Sequence, residues 1–102
     1  MDRDSPGGAL ILIDPPLWPA RGRVWSHMVS DESFAELHAF AERVGLPPRA
    51  FDRDHYDVPA ELYAKAVALG AHEVGCQELL LRLTKAGLRR RKAAGRRGAV
   101  RR

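Results

Sequence analysis

The densest run of reactive side chains in the chain is Asp52-Arg53-Asp54-His55-Tyr56-Asp57, with three carboxylates, an imidazole and a phenol in six residues. In an extended backbone side chains alternate in direction, so His55 and Asp57 project to one side. Groups placed in this way serve as two ligands of one ion, or as a base and the acid that orients it. Taken alone, the segment favours a purely structural use. Asp57 would then cap a helix beginning near Pro59, and Asp52 and Asp54 would pair with Arg49 and Arg53.

Two more histidines occupy positions that a solvated histidine would not choose. His27 lies inside Val24-Trp25-Ser26-His27-Met28-Val29, on the face it shares with Trp25 and Val29. His38 follows Phe34 by one helical turn, beside Leu37 and Ala41. A single such histidine is ordinarily a core residue with satisfied ring nitrogens. Asp14 ends the aliphatic run Leu10-Ile11-Leu12-Ile13, and in open α/β sheets ligands bind at the carboxyl ends of strands. Burying a lone carboxylate there is costly, so Asp14 needs a metal, a cation or several N–H donors. Alternatively it caps the Pro15-Pro16 turn or pairs with Arg21 or Arg23.

If Asp14, His27, His55 and Asp57 converge, they form a mixed nitrogen and oxygen set suited to zinc, manganese or iron. His38 and Tyr56 would support it from behind, and His55 and Asp57 are the catalytic candidates. The spacings match no standard metal signature, so the expectation rests on convergence alone. Such a centre best supports hydrolysis of a phosphoester or nucleotide-like substrate, the ion activating water and a histidine or carboxylate moving the proton. Other chemistries lack their parts. No Gly-rich phosphate loop joins a strand to a helix, there is no serine nucleophile elbow, and Cys76 reads as a helix-start residue.

The elements that must position these residues can be read from periodicity. Leu10–Asp14 reads as a strand buried on both faces, and Pro15–Arg23 as a loop. Val24–Val29 reads as a second strand. Ser33 and Glu36 have capping-box spacing, and the helix they start carries Phe34, Leu37, His38, Ala41 and Val44 on one face before Gly45. A second helix follows Pro59 and ends at Gly70, His72–Gly75 reads as a weak third strand, and a third helix runs from Gln77 to Gly87. The expected fold is thus a small α/β sandwich, a three-stranded sheet with three helices in the order β-β-α-α-β-α.

The 102 residues suffice for one domain, expected over residues 9–88, with residues 1–8 as a flexible leader carrying acids and no apolar signal-like run. The single cysteine excludes an internal disulfide and fits a reducing compartment, and no apolar run is long enough to cross a membrane, so a cytoplasmic protein is expected. The net charge of +4 divides into −4 over residues 1–86 and +8 over residues 87–102. Residues 89–102 therefore read as a disordered basic arm with too little apolar surface to offset its ordering entropy. Arg89, Arg90, Arg91 and Lys92 would supply its contacts if it binds nucleic acid by counterion release. The alternatives are a solubilising tail, or a non-catalytic interaction module in which Asp14, His27 and His55 lie far apart.

The blocks Ile11-Leu12-Ile13-Asp14-Pro15-Pro16, Trp25-Ser26-His27, Glu36-Leu37-His38-Ala39-Phe40-Ala41 and Asp54-His55-Tyr56-Asp57-Val58 resemble, in this order, the bacterial and phage family called Domain of Unknown Function 4031. The resemblance covers roughly residues 9–88. It implies a bacterial, cytoplasmic protein and carries over no catalytic residue. The acidic leader and the Arg-rich arm fall outside its pattern, and Cys76 stands where a serine or another polar cap is expected.

Overall fold

A computed structural model describes residues 10–90. Its strands in chain order are β1 (Ile11–Ile13), β2 (Trp18–Ala20), β3 (Arg23–Ser30), β4 (Phe51–Asp52), β5 (His55–Pro59) and β6 (His72–Glu73). The helices are α1 (Phe34–Val44), α2 (Tyr63–Ala68) and α3 (Cys76–Lys85). All six strands form one mixed sheet, ordered β4-β5-β3-β1-β6, with β2 also paired to β3. Among the described residues, the β1–β6 pair alone is parallel.

The unbroken aliphatic strand β1 is buried on both faces, as such a run requires. On one face Ile11, Ile13, Met28, Tyr56 and Val58 pack against Leu37, Phe40 and Val44 of α1 and Ala66 of α2. On the other, Leu12 and Val29 meet Leu79 and Leu83 of α3. The described core is uneven, with twelve buried residues in the first cluster and four in the second. The face under α3 is therefore only partly roofed by apolar side chains, and its remainder is free to carry polar groups.

Ser33 caps α1, its Oγ accepting from Glu36 N at 3.1 Å, and Gly45 ends the helix at φ 100°. The reciprocal half of the capping box is replaced. Ser30 Oγ donates to Glu36 Oε1 at 2.6 Å and accepts from Ser33 N, which ties the start of α1 to the end of β3.

The α/β class and the three helices agree with the sequence. The three-stranded sheet and its element order are corrected to six strands in the order β-β-β-α-β-β-α-β-α. Each added strand was masked by its chemistry. Pro19 lies within β2, which is exposed and pairs only with β3, a place where proline is tolerated. The strand β4 is two residues long. The polar residues of β5 drew attention to chemistry, although Tyr56 and Val58 are buried at alternate positions, as in a half-buried strand. The strand expected over His72–Gly75 is β6, two residues long, and it pairs with β1.

Candidate metal centre

Antiparallel pairing sets His27 of β3 directly opposite Asp57 of β5, and the two-residue period brings His55 to the same face. The result is a triad in which His27, His55 and Asp57 offer ligand atoms within 4.8 Å of one another. The two imidazoles meet edge to face with centroids 5.0 Å apart.

Each histidine is held through Nδ1 by a buried carboxylate. Asp14, fully buried at the end of β1, places Oδ2 2.9 Å from His27 Nδ1 and accepts the Trp18 indole N–H on the same oxygen at 3.1 Å. Its Oδ1 accepts the His27 backbone N–H at 2.6 Å. A carboxylate only accepts, so in the neutral ring it favours the Nδ1–H tautomer of His27, the one whose Nε2 lone pair can take a ligand. Asp54, 1% exposed, repeats the arrangement with Oδ1 2.8 Å from His55 Nδ1. This carboxylate–histidine pairing is the one that fixes ring orientation and raises basicity in metal-binding histidines.

His55 Nε2 lies 3.1 Å from Asp57 Oδ1, so both ring nitrogens face a carboxylate oxygen. With Nδ1–H given to Asp54, a neutral His55 would set its lone pair against the Asp57 oxygen. Only a proton or a metal cation between them relieves that opposition. Burial pulls the His55 pKa down, but the hydrogen bonds and charges of Asp57 and Asp54 outweigh it and hold the group above its ordinary 6.5. Burial pushes Asp57 up, yet the His55 hydrogen bond and the charges of His55, His27 and Arg21 bring it below its ordinary 3.8.

These shifts set a pH window. The raised His55 contributes stability that is complete below pH 6.5 and is lost as pH rises through its folded pKa. The lowered Asp57 contributes stability that is complete above pH 3.8 and is lost as pH falls through its folded pKa. Metal-free protein is therefore expected to melt at progressively lower temperature as pH rises from 6.5 through the folded pKa of His55. A bound divalent ion, which competes with the His55 proton, should reverse that slope. Thermal melts in chelator and in zinc between pH 6 and pH 9 check this, and parallel slopes would contradict it.

Of the residues singled out in the sequence, the structure brings together His27, His55 and Asp57, with Asp14 touching the centre through His27. Asp14 is thus outside the triad and reaches it through its hydrogen bonds to His27. His38 and Tyr56 do not lie behind the centre. Tyr56 alternates with its strand neighbours and points into the α1 face, where His38 Nδ1 sits 2.7 Å from its hydroxyl within an aromatic cluster that includes Phe51. Cys76 is the first residue of α3 and is exposed, and Gly75 occupies the cap position.

Asp54 and Trp18 join the hydrogen bonding around the two histidines, beyond the residues singled out in the sequence. The signal for Asp54 was the two-residue connection Arg53-Asp54, which closes the β4–β5 hairpin and seats Asp54 beside His55. Arg89 and Arg90 meet Asp54 as well. The Arg90 backbone N–H donates to Asp54 Oδ2 at 2.7 Å, and Arg89 Nη1 lies 3.4 Å from the same oxygen. Arg91 and Lys92 lie outside the described residues. Ending the chain after Leu88 removes both donors and is expected to weaken zinc binding about tenfold, the scale for losing support to a metal-binding histidine. Ending it after Arg90 should leave zinc affinity unchanged, and competitive zinc titration of the two truncations separates the outcomes.

Beside the triad a cavity of about 350 Å³ runs between α3 and the sheet, with His27, His55, Leu79, Leu83, Arg53 and Arg89 among its lining. Its walls are mixed, apolar on the α3 side and polar at the histidines. Among the described residues, no helix is long and apolar enough to cross a membrane.

Fold and site together define a small α/β sandwich domain that carries a His/Asp cluster of metal-ligating composition on one sheet face. Residues 11–86 match the family described as Protein of unknown function (DUF4031), and the chain belongs to that family. The match spans every strand and helix of the domain and stops before Arg89. No curated protein and no solved structure is similar enough to the chain to count as a match.

Proposed function

We propose that the chain is a metal-dependent hydrolase acting on a phosphoester or nucleotide-like substrate. One observation carries the reading: two imidazoles, each held at Nδ1 by a buried aspartate, converge on a third carboxylate. The 3.1 Å separation of His55 Nε2 and Asp57 Oδ1 is close to what one ion imposes on two ligands at about 2.1 Å each. Three protein ligands leave coordination positions open, which distinguishes a catalytic site from a closed structural one. His27 and His55 would hold the ion, Asp57 would complete the set, and an ion held there would supply a Lewis acid for activating water against a phosphoester. Asp14 and Asp54 keep both rings in the ligating orientation.

Metal-stripped protein should take up one equivalent of zinc, manganese or iron(II) in calorimetric titration. It should then hydrolyse a chromogenic phosphoester only in the loaded form. Absence of metal uptake at neutral pH would overturn the reading.

A further inference from the structure

A second depression of about 670 Å³ adjoins the centre, with Asp57 in its wall beside Arg21, Arg23, Arg49 and Trp25. The strand β5 pairs with β4 only at its first two residues, so Asp57 lies on the length of β5 that β4 leaves uncovered. Three guanidinium groups line this groove with the carboxylates of Asp52 and Asp57, Asp52 being paired to Arg53 at 3.4 Å, and the engagements of the arginines differ. Arg23 is spent on Glu61 at 2.8 Å. Among the described residues no carboxylate lies within ion-pair distance of Arg21 or Arg49. Arg21 rests over the Trp25 ring, 4.7 Å from its centroid, which fixes the charge beside the groove.

The backbone supplies an independent observation. Arg21-Gly22 is the two-residue turn between β2 and β3, and both residues have positive φ, at 51° and 76°. Asn-Gly is the favoured pair for such a turn, and arginine is strained there. The other non-glycine residue with positive φ in the described chain is Arg53, at 62°, at the tip of the β4–β5 hairpin. Both strained positions are thus arginines, at the tips of the two hairpins that supply His27, His55 and Asp57. Strain of this kind collects where a side chain is required for function.

We propose that the groove is the oxyanion subsite of the metal centre, in which Arg21 and Arg49 bind the phosphate group of the substrate. Guanidinium groups bind phosphate through paired, charge-assisted hydrogen bonds, which a lysine or a neutral donor does not reproduce. The assignment of the anion to a substrate rests on the hydrolase reading above. Anion binding by the arginines does not need the metal, and this makes the two separable.

The probe is inorganic phosphate, titrated into the full chain and followed by phosphorus NMR, once in chelator and once with zinc. Wild-type protein is expected to bind phosphate in both conditions. Arg21→Asn and Arg49→Gln should each weaken it by about tenfold or more, the scale of one lost charged hydrogen-bond donor. Arg21→Asn installs the favoured turn pair while losing the contact with Trp25, so its Tm should hold within about 3 °C and a folding defect cannot mimic the result. Zinc affinity should not fall in either variant, because taking a positive charge away from the neighbourhood of Asp57 can only favour a bound cation there. Equal phosphate affinity in wild type and variants, or no phosphate binding in either condition, would overturn the subsite. Phosphate binding that depends on the arginines, in a protein that takes up no zinc, would uphold the subsite and remove the metal reading alone.

Discussion

His55→Ala is expected to abolish stoichiometric zinc uptake while leaving the domain folded. The fold tolerates the loss because neither aspartate beside His55 is left both buried and without any partner. Asp54 keeps the Arg90 N–H and the Arg89 guanidinium on Oδ2, and the Asp57 side chain is one-third exposed. The cost to stability is that of hydrogen bonds and a partly buried ring, about 1–3 kcal/mol. The centre has no such reserve. With the imidazole gone, His27 and Asp57 are what remain of the triad. Losing a group that merely supports a ligand costs about 10–100-fold in affinity, so losing the ligand itself should exceed that range. Equilibrium dialysis with metal analysis reads the uptake, and a circular dichroism melt reads the fold. His38→Ala is the matched control, because His38 sits with Tyr56 on the other sheet face and its removal should leave zinc affinity intact. Wild-type zinc uptake by His55→Ala, or equal losses in both variants, would end the assignment of the centre to this triad.

The parts of this site that were legible in the sequence are those governed by short periods. Alternation along Trp25-Ser26-His27-Met28-Val29 fixed which face His27 would share, and the same rule placed His55 and Asp57 side by side. Periodicity within one strand says nothing about which strand lies alongside it. That His27 falls opposite Asp57 follows from the β3–β5 register, set by long-range pairing rather than by either segment. The same limit misplaced Tyr56 and His38. Local density suggested that Tyr56 belonged with its neighbours, whereas the pleat sends it to the face where α1 packs. The burial of Asp14 and its need for donors were legible from the four aliphatic residues before it. The identity of its partners was not, because Trp18 reaches it from a proline-rich segment that read as loop.

Asp14→Asn should separate the two tasks that this buried carboxylate performs. In the wild type Asp14 accepts from three donors: the His27 backbone N–H, the His27 ring at Nδ1 and the Trp18 indole. An amide of nearly the same shape retains one oxygen, which can keep one of these positions, while its NH₂ group confronts the donors at the other. Two outcomes follow from that mismatch. A fully buried site with donors facing donors is expected to lose about 2–4 kcal/mol, equivalent to a fall in Tm of roughly 10–20 °C for a domain of this size. His27 is also free to relieve the clash by moving its proton to Nε2. That turns the ligating nitrogen into a donor, so zinc affinity should fall by about 10–100-fold even at temperatures where the variant is fully folded. Asp14→Ala incurs the stability loss without imposing the wrong tautomer, since no amide opposes Nδ1. The ordering of zinc affinity at low temperature, wild type above alanine and alanine above asparagine, is therefore the diagnostic result. Were asparagine to bind zinc as tightly as wild type, Asp14 would be a structural anchor for β1, β3 and Trp18, with no part in preparing His27.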